Sequence, residues 1–252
     1  MSRIADESFV RRNLPFFAVA ISIAITPKVI LDPINIPKLI VLVICSFISF
    51  AVVLPHLKYY FQEFKLLILV TLFFILDLFL ILIFSSQISA QQIYGTFGRN
   101  TALLFYLGLA LLMLVSAFVS NNQTLDRMLW FLILTGLISS VYGILQFNNL
   151  DPAGFVGLYR PTIGFLGNPD FFSAFQGLAL IATLATAFSQ GISILKRFLL
   201  MLISVISLIS LYLAGAKQGF LVALIGVTAL IFFMCWNRNR VIGKAIIVAS
   251  MG

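Results

Sequence analysis

Eight long apolar runs, parted by short polar breaks, decide most of what this 252-residue chain can become. They lie near residues 14–31, 37–54, 66–84, 101–119, 128–146, 171–188, 198–214 and 219–236. A helix needs roughly 20 mostly apolar residues to cross a bilayer. In hydrocarbon each backbone N–H and C=O must be satisfied by the chain itself, which leaves helices and closed barrels. The runs are continuously apolar instead of alternating, so they predict helices and not barrel strands. Composition agrees: 62% of residues are hydrophobic and 10% charged, against roughly 25% charged in a soluble domain. The expected fold is all-α, a polytopic transmembrane helix bundle forming one domain over 1–252, with about eight complete spans. A ninth run opens at Ala245 and reaches Gly252. It is too short to span, which predicts that the chain is the N-terminal portion of a longer protein.

The net charge of +8 does not mark a nucleic-acid binder, because the basic residues punctuate the runs and form no patch. They read as topology signals. With the N-terminus in the cytoplasm, the outer set is Lys28, Lys38, Arg99, Arg160 and Lys217, and the rest of the 16 Lys and Arg residues fall inside. Arg3, Arg11 and Arg12 before the first run could open a signal peptide, but no small-residue cleavage site closes it, so it reads as a retained span. Cys45 and Cys235 lie inside apolar runs and read as buried small hydrophobes. No Cys/His cluster, phosphate loop, dinucleotide fingerprint or Ser/His/Asp set is present, and neither metal nor cofactor is expected. His56 follows Pro55 in a cytoplasmic connection and reads as a solvated loop residue.

One connection is long. Residues 147–170 form an outer-face loop of aromatic and glycine residues with few charges, expected to be ordered and partly buried. It closes on Arg160 and then Gly164-Phe165-Leu166-Gly167-Asn168-Pro169-Asp170. Asn168 suits an N-cap and Pro169 the first helical position. A helix starting there points unpaired N–H groups outward, where anions and above all phosphate bind. Capping alone is the plainer reading of Asn168. Arg160 offers a rigid fork to phosphate oxygens, or else anchors the loop at the headgroups. Arg99 and Lys217 sit near outer ends of other spans and could converge with it on one anion. Asp77 lies near the middle of the third span, and an intramembrane carboxylate is a functional candidate by default. Its plainer reading is a group facing the bundle interior, neutral or hydrogen-bonded to another helix.

These segments resemble the O-antigen ligase and polymerase family. Tyr142-Gly143-Ile144-Leu145-Gln146 resembles its YGxxQ segment, and Arg160 with Gly164 to Asp170 its R-x-x-G…G-N-P-N segment. Gly95 to Arg99 is similar to an earlier Gly-x-x-x-Arg element, and Ala216-Lys217-Gln218-Gly219 stands where the family has an S-R-G turn. Three residues instead of two part Arg160 from Gly164, Asp170 replaces asparagine, and Lys217 replaces arginine with loss of the bidentate fork. The resemblance implies a membrane glycosyltransferase that moves a glycan from an undecaprenyl-diphosphate carrier to a lipid or glycan acceptor on the outer face of the bacterial plasma membrane, without a metal. Arg160, Arg99, Lys217 and Asn168 would hold the diphosphate, and the bundle would seat the polyprenyl tail. The acceptor-activating histidine of the family belongs to a later outer loop, so the catalytic residues are unknown here. The alternatives are an anion transporter of bicarbonate type, for which only Asp77 speaks, and a non-catalytic membrane assembly subunit.

Overall fold

The computed structural model describes residues 3–26, 32–85, 89–155 and 162–238. The described residues are helical apart from turns and connections, with no strand among them. Ten α-helices follow in order: α1 (Arg3–Ile23), α2 (Asn35–Val53), α3 (Leu57–Glu63), α4 (Lys65–Ile83), α5 (Ala90–Tyr94), α6 (Leu103–Val119), α7 (Asn122–Phe147), α8 (Pro169–Ala187), α9 (Ile194–Ala214) and α10 (Lys217–Arg238). The eight expected runs map in order onto α1, α2, α4 and α6 to α10. Six helical stretches are long and apolar enough to cross a membrane: Asn35–Glu63, Lys65–Ile83, Asn122–Phe147, Pro169–Ala187, Ile194–Ala214 and Lys217–Trp236. α6 has 17 residues and falls short in length. α1 begins before the first run and spends its first half on charged residues, so it does not match a span over 14–31. The run that begins at Ala245 lies outside the described residues. The protein is thus an all-helical, multi-pass membrane protein by the length and apolarity of its helices.

The chain divides into two compact units, Met1–Phe131 and Leu132–Gly252. In the first, α6 packs against α1, α2 and α4. Its core joins Val10 and Leu14 of α1, Val53, Tyr60 of α3, Ile68 of α4, and Leu114, Val115, Phe118 and Val119 of α6. The Tyr60 ring stacks on Phe118 with centroids 4.4 Å apart. The Tyr60 hydroxyl donates to Glu7 Oε1 at 2.7 Å, and Glu7 pairs with Arg11 at 3.5 Å. His56 is not the solvated loop residue expected. A 3-10 turn (Leu54–His56) leads directly into α3, and His56 Nε2 meets the buried Asp6 carboxylate at 2.9 Å. The apolar-run reading missed this because Asp6 is distant in sequence and lies outside the runs.

In the second unit α8 is the central helix and packs against α9 and α10. Bilayer helices associate through small residues that let backbones approach. The glycines facing α8 act in this way. A methyl carbon on Gly136 would fall 2.4 Å from Ala179 Cβ, one on Gly219 2.4 Å from the Ser173 carbonyl, and one on Gly226 2.0 Å from Ile181 Cδ1. Hydroxyls buried in this seam bond to their own helix: Thr183 donates to the Ala179 carbonyl at 2.7 Å and Thr186 to Ala182 at 2.8 Å. Such bonds leave no unsatisfied group facing hydrocarbon.

Several cations serve as helix caps as well as topology signals. The last carbonyls of a helix lack partners and carry partial negative charge. Arg11 Nε donates to the carbonyl of Val119, the last residue of α6, at 2.7 Å. Lys38 Nζ donates to Ile21, Ser22 and Ala24 at the end of α1, the shortest at 2.6 Å. Arg197 Nε donates to Ala187, the last residue of α8, at 3.0 Å. Lys38 is therefore committed to α1 and is not one of a free set of outer cations.

Candidate functional site

Three of the segments that carry the resemblance, Tyr142 to Gln146, Gly164 to Asp170 and Ala216 to Gly219, come together within the second unit. Gln146, near the end of α7, uses both ends of its buried amide. Its Oε1 accepts from the backbone N–H groups of Ile163 (3.1 Å) and Gly164 (2.8 Å), and its Nε2 donates to Asp151 Oδ2 at 3.2 Å. Asp151 gathers the first part of the loop. It also accepts from the Tyr142 hydroxyl at 2.8 Å and from the backbone of Ala153 and Phe155 at 2.9 and 2.8 Å. Tyr142 then stacks on Phe165, with centroids 4.4 Å apart and planes 17° from parallel. The described parts of the 147–170 loop are partly buried, and two side chains, Gln146 and Asp151, each accept from two of its backbone N–H groups.

Both motif glycines border one aromatic ring. Phe172 is fully buried, and a methyl carbon on Gly143 would lie 2.5 Å from its Cζ. One on Gly164 would lie 2.1 Å from Cδ2, and Gly164 also has φ +54°, a left-handed conformation that glycine adopts freely. Asn168 caps α8: its Oδ1 accepts from the Asp170 N–H at 2.8 Å. The capping reading of Asn168 is thus realised, leaving its exposed amide nitrogen as the group able to donate outward.

The start of α10 abuts the start of α8. The Ser173 hydroxyl accepts from the Gly219 N–H at 3.2 Å. α9 ends at Gly215 in a left-handed turn (φ +64°), and Ala216 is buried. Lys217 then opens α10, exposed and with no hydrogen bond or ion pair among the described residues. The N-terminal turns of two helices, with Asn168 and Lys217, therefore share one end of this unit. Asp170 occupies the first turn of α8, whereas α10 has no acidic residue in its first turn.

Arg99 belongs to the other unit. It ends a turn after α5 in which Asn35 Nδ2 donates to the Gly98 carbonyl at 2.8 Å, and its side chain is exposed. Asp32 Oδ1 accepts from Asn35 N at 2.9 Å, so the start of α2 and the Arg99 turn are clamped together. Arg160 lies outside the described residues. The buried hydroxyl of nearby Thr162 has no partner among the described residues.

Within the first unit Asp77 does not face the packed interior. It is exposed on α4, where Ile68 and Thr71 are the buried residues. A carboxylate at the centre of a spanning helix costs about 2.5–3.5 kcal/mol on insertion scales. Among the described residues no hydrogen bond or ion pair offsets that cost.

Asp151 and Ser173 were missed from the sequence. Asp151-Pro152 after two asparagines is a turn signal, but nothing in the spacing shows that the carboxylate organises the loop. A further uncharged polar cluster crosses the helices: Ser140 Oγ donates to Gln176 Oε1 at 2.8 Å and lies 3.5 Å from Ser207 Oγ, all fully buried. Comparison with protein-family models, curated proteins and solved structures gives no match to this chain.

Proposed function

We propose that the chain binds a polyprenyl-diphosphate-linked glycan and is the carrier-binding part of a membrane glycosyltransferase of the O-antigen ligase or polymerase type. In this reading it sits in the bacterial plasma membrane with its N-terminus cytoplasmic, and the shared end of α8 and α10 faces outward. The supporting observation is the meeting of three of the resemblance segments in the second unit: Gly143 and Gly164 border one phenylalanine ring, Gln146 holds the turn before Asn168, and Ser173 joins α8 to the Lys217 turn. Sequence order alone did not require these contacts.

The electrostatics select where the anion would rest. Asp170 complements the positive end of α8 and would repel an anion seated directly on it. The start of α10 has Lys217 and no acidic residue in its first turn. Lys217 would act as a point charge on one phosphate, while Arg160 would approach from the loop with its two-pronged donor. Both would stabilise charge that grows on the diphosphate as the glycosidic bond breaks. The apolar spans would hold the tail. Activation of the acceptor falls to none of these residues. His56 is engaged with Asp6 in the first unit and has no part in this site.

Binding of undecaprenyl diphosphate to the purified chain tests this reading. Lys217→Ala and Arg160→Ala should each weaken it at least tenfold, about 1.4 kcal/mol or more, and Lys217→Arg should preserve it. Equal binding by all four proteins would remove both residues from the site.

A further inference from the structure

A second feature stands whether or not the carrier reading holds. It is the buried junction of α7, α8 and α9, inside the second unit. Two levels can be traced across it. At one, Ser140 Oγ of α7 donates to Gln176 Oε1 of α8 at 2.8 Å and lies 3.5 Å from Ser207 Oγ of α9. At the other, a methyl carbon on Gly143 of α7 would lie 2.5 Å from Phe172 Cζ of α8 and 3.1 Å from Ser210 Oγ of α9. On each helix the two levels are three or four residues apart, which is about 5 Å of rise. The order of the pairs makes α8 antiparallel to α7 and α9. Ser140, Phe172, Gln176, Ser207 and Ser210 are all fully buried.

The hydrogen bonds within this layer do not close. A hydroxyl has one proton to give. Ser140 gives its proton to Gln176 Oε1, and Ser207 can give its own to Ser140, which leaves the Ser207 lone pairs free. Gln176 Nε2 and Ser210 Oγ have no partner among the described residues. Side chains on a helix lean toward its N-terminus. Gln176 therefore leans toward the level of Ser210, and Ser210 toward the level of Gln176. The gap between the levels, about 5 Å, is what one molecule bonded at both ends spans. None of these residues is charged, so an ion of either sign would be buried there without a counter-charge. Turning the amide end for end only exchanges which end is left over. A molecule that both donates and accepts serves either arrangement, and buried water makes about three hydrogen bonds to such leftover groups. We infer that the α7–α8–α9 junction binds one ordered water, which accepts from Gln176 Nε2 and joins it to Ser210 Oγ and Ser207 Oγ. That water completes the polar layer directly beneath the Phe172 ring.

The test uses the whole chain, labelled with nitrogen-15 at glutamine, in detergent micelles. Nuclear cross-relaxation with water should appear at one side-chain amide with the sign of a held water. Its disappearance in Gln176→Met identifies it, and Gln176→Asn serves for this if Gln176→Met does not fold. Ser210→Ala should weaken the signal about twofold or more, because the water loses a partner. In reversible unfolding the effects of Gln176→Met and Ser210→Ala should not multiply: the double variant should depart from the product of the single effects by at least about fivefold. No cross-relaxation at Gln176 would overturn the inference, as would a signal unchanged by Ser210→Ala. Non-additive unfolding without cross-relaxation would also overturn it, since the two side chains would then meet directly.

Discussion

α4 and α8 have the same length, 19 residues, and opposite fates. α4 is nearly all leucine, isoleucine and phenylalanine, and 11% of its apolar stretch is buried; α8 carries Ser, Thr, Gln, Gly and Ala, and 56% of its stretch is buried. In a soluble protein the more apolar helix would be the core. Here the order inverts, because lipid solvates leucine as well as another helix does. What drives a helix into the bundle is close backbone approach and the need to satisfy polar groups away from hydrocarbon. α8 supplies both and α4 supplies neither, except at Asp77.

If that contrast is right, the most damaging substitution lies on the α8 seam and not on the apolar helix. Gly219→Leu forces a side chain into the Ser173 carbonyl and should cost more than about 3 kcal/mol in reversible unfolding from detergent micelles. A loss below about 1 kcal/mol would mean that α8 and α10 are free to separate. Next in size is Gln146→Ala. It strips partners from two backbone N–H groups and from Asp151, for an expected loss of about 2–3 kcal/mol, with faster proteolysis within the 147–170 loop. Unaltered proteolysis would show that the loop is held by other means. The smallest effect belongs to α4. Phe73 is 69% exposed, and Phe73→Ala should change stability by no more than about 0.5 kcal/mol. A loss near that of Gly219→Leu would show that α4 is packed in the intact protein, and would collapse the contrast.

Much of this was legible beforehand. Run length and continuity located seven of the helices, α2, α4 and α6 to α10, in order, since hydrocarbon forces any long apolar run to satisfy its own backbone. Local rules placed the start of α8, because an Asn-Pro cap depends on adjacent residues alone. The same rules gave no account of α1, whose charged first half is held by contacts with α3 and α6. They read His56 as solvated, since its partner is fifty positions away.

For the site, the sequence by itself determined which residue types were available: motif glycines, an amide, a cap and cations near helix ends. Only the tertiary structure decided their roles. It made Gly143 and Gly164 the two borders of Phe172, turned Gln146 into the clamp on the loop, and assigned Lys38, Arg11 and Arg197 to helix ends. It also placed Asp77 on an exposed face. The reason is one of range. Helix formation and capping are settled within a few residues by backbone hydrogen bonding. Which polar group meets which is settled by how closely helices distant in sequence can approach, and small residues set that distance.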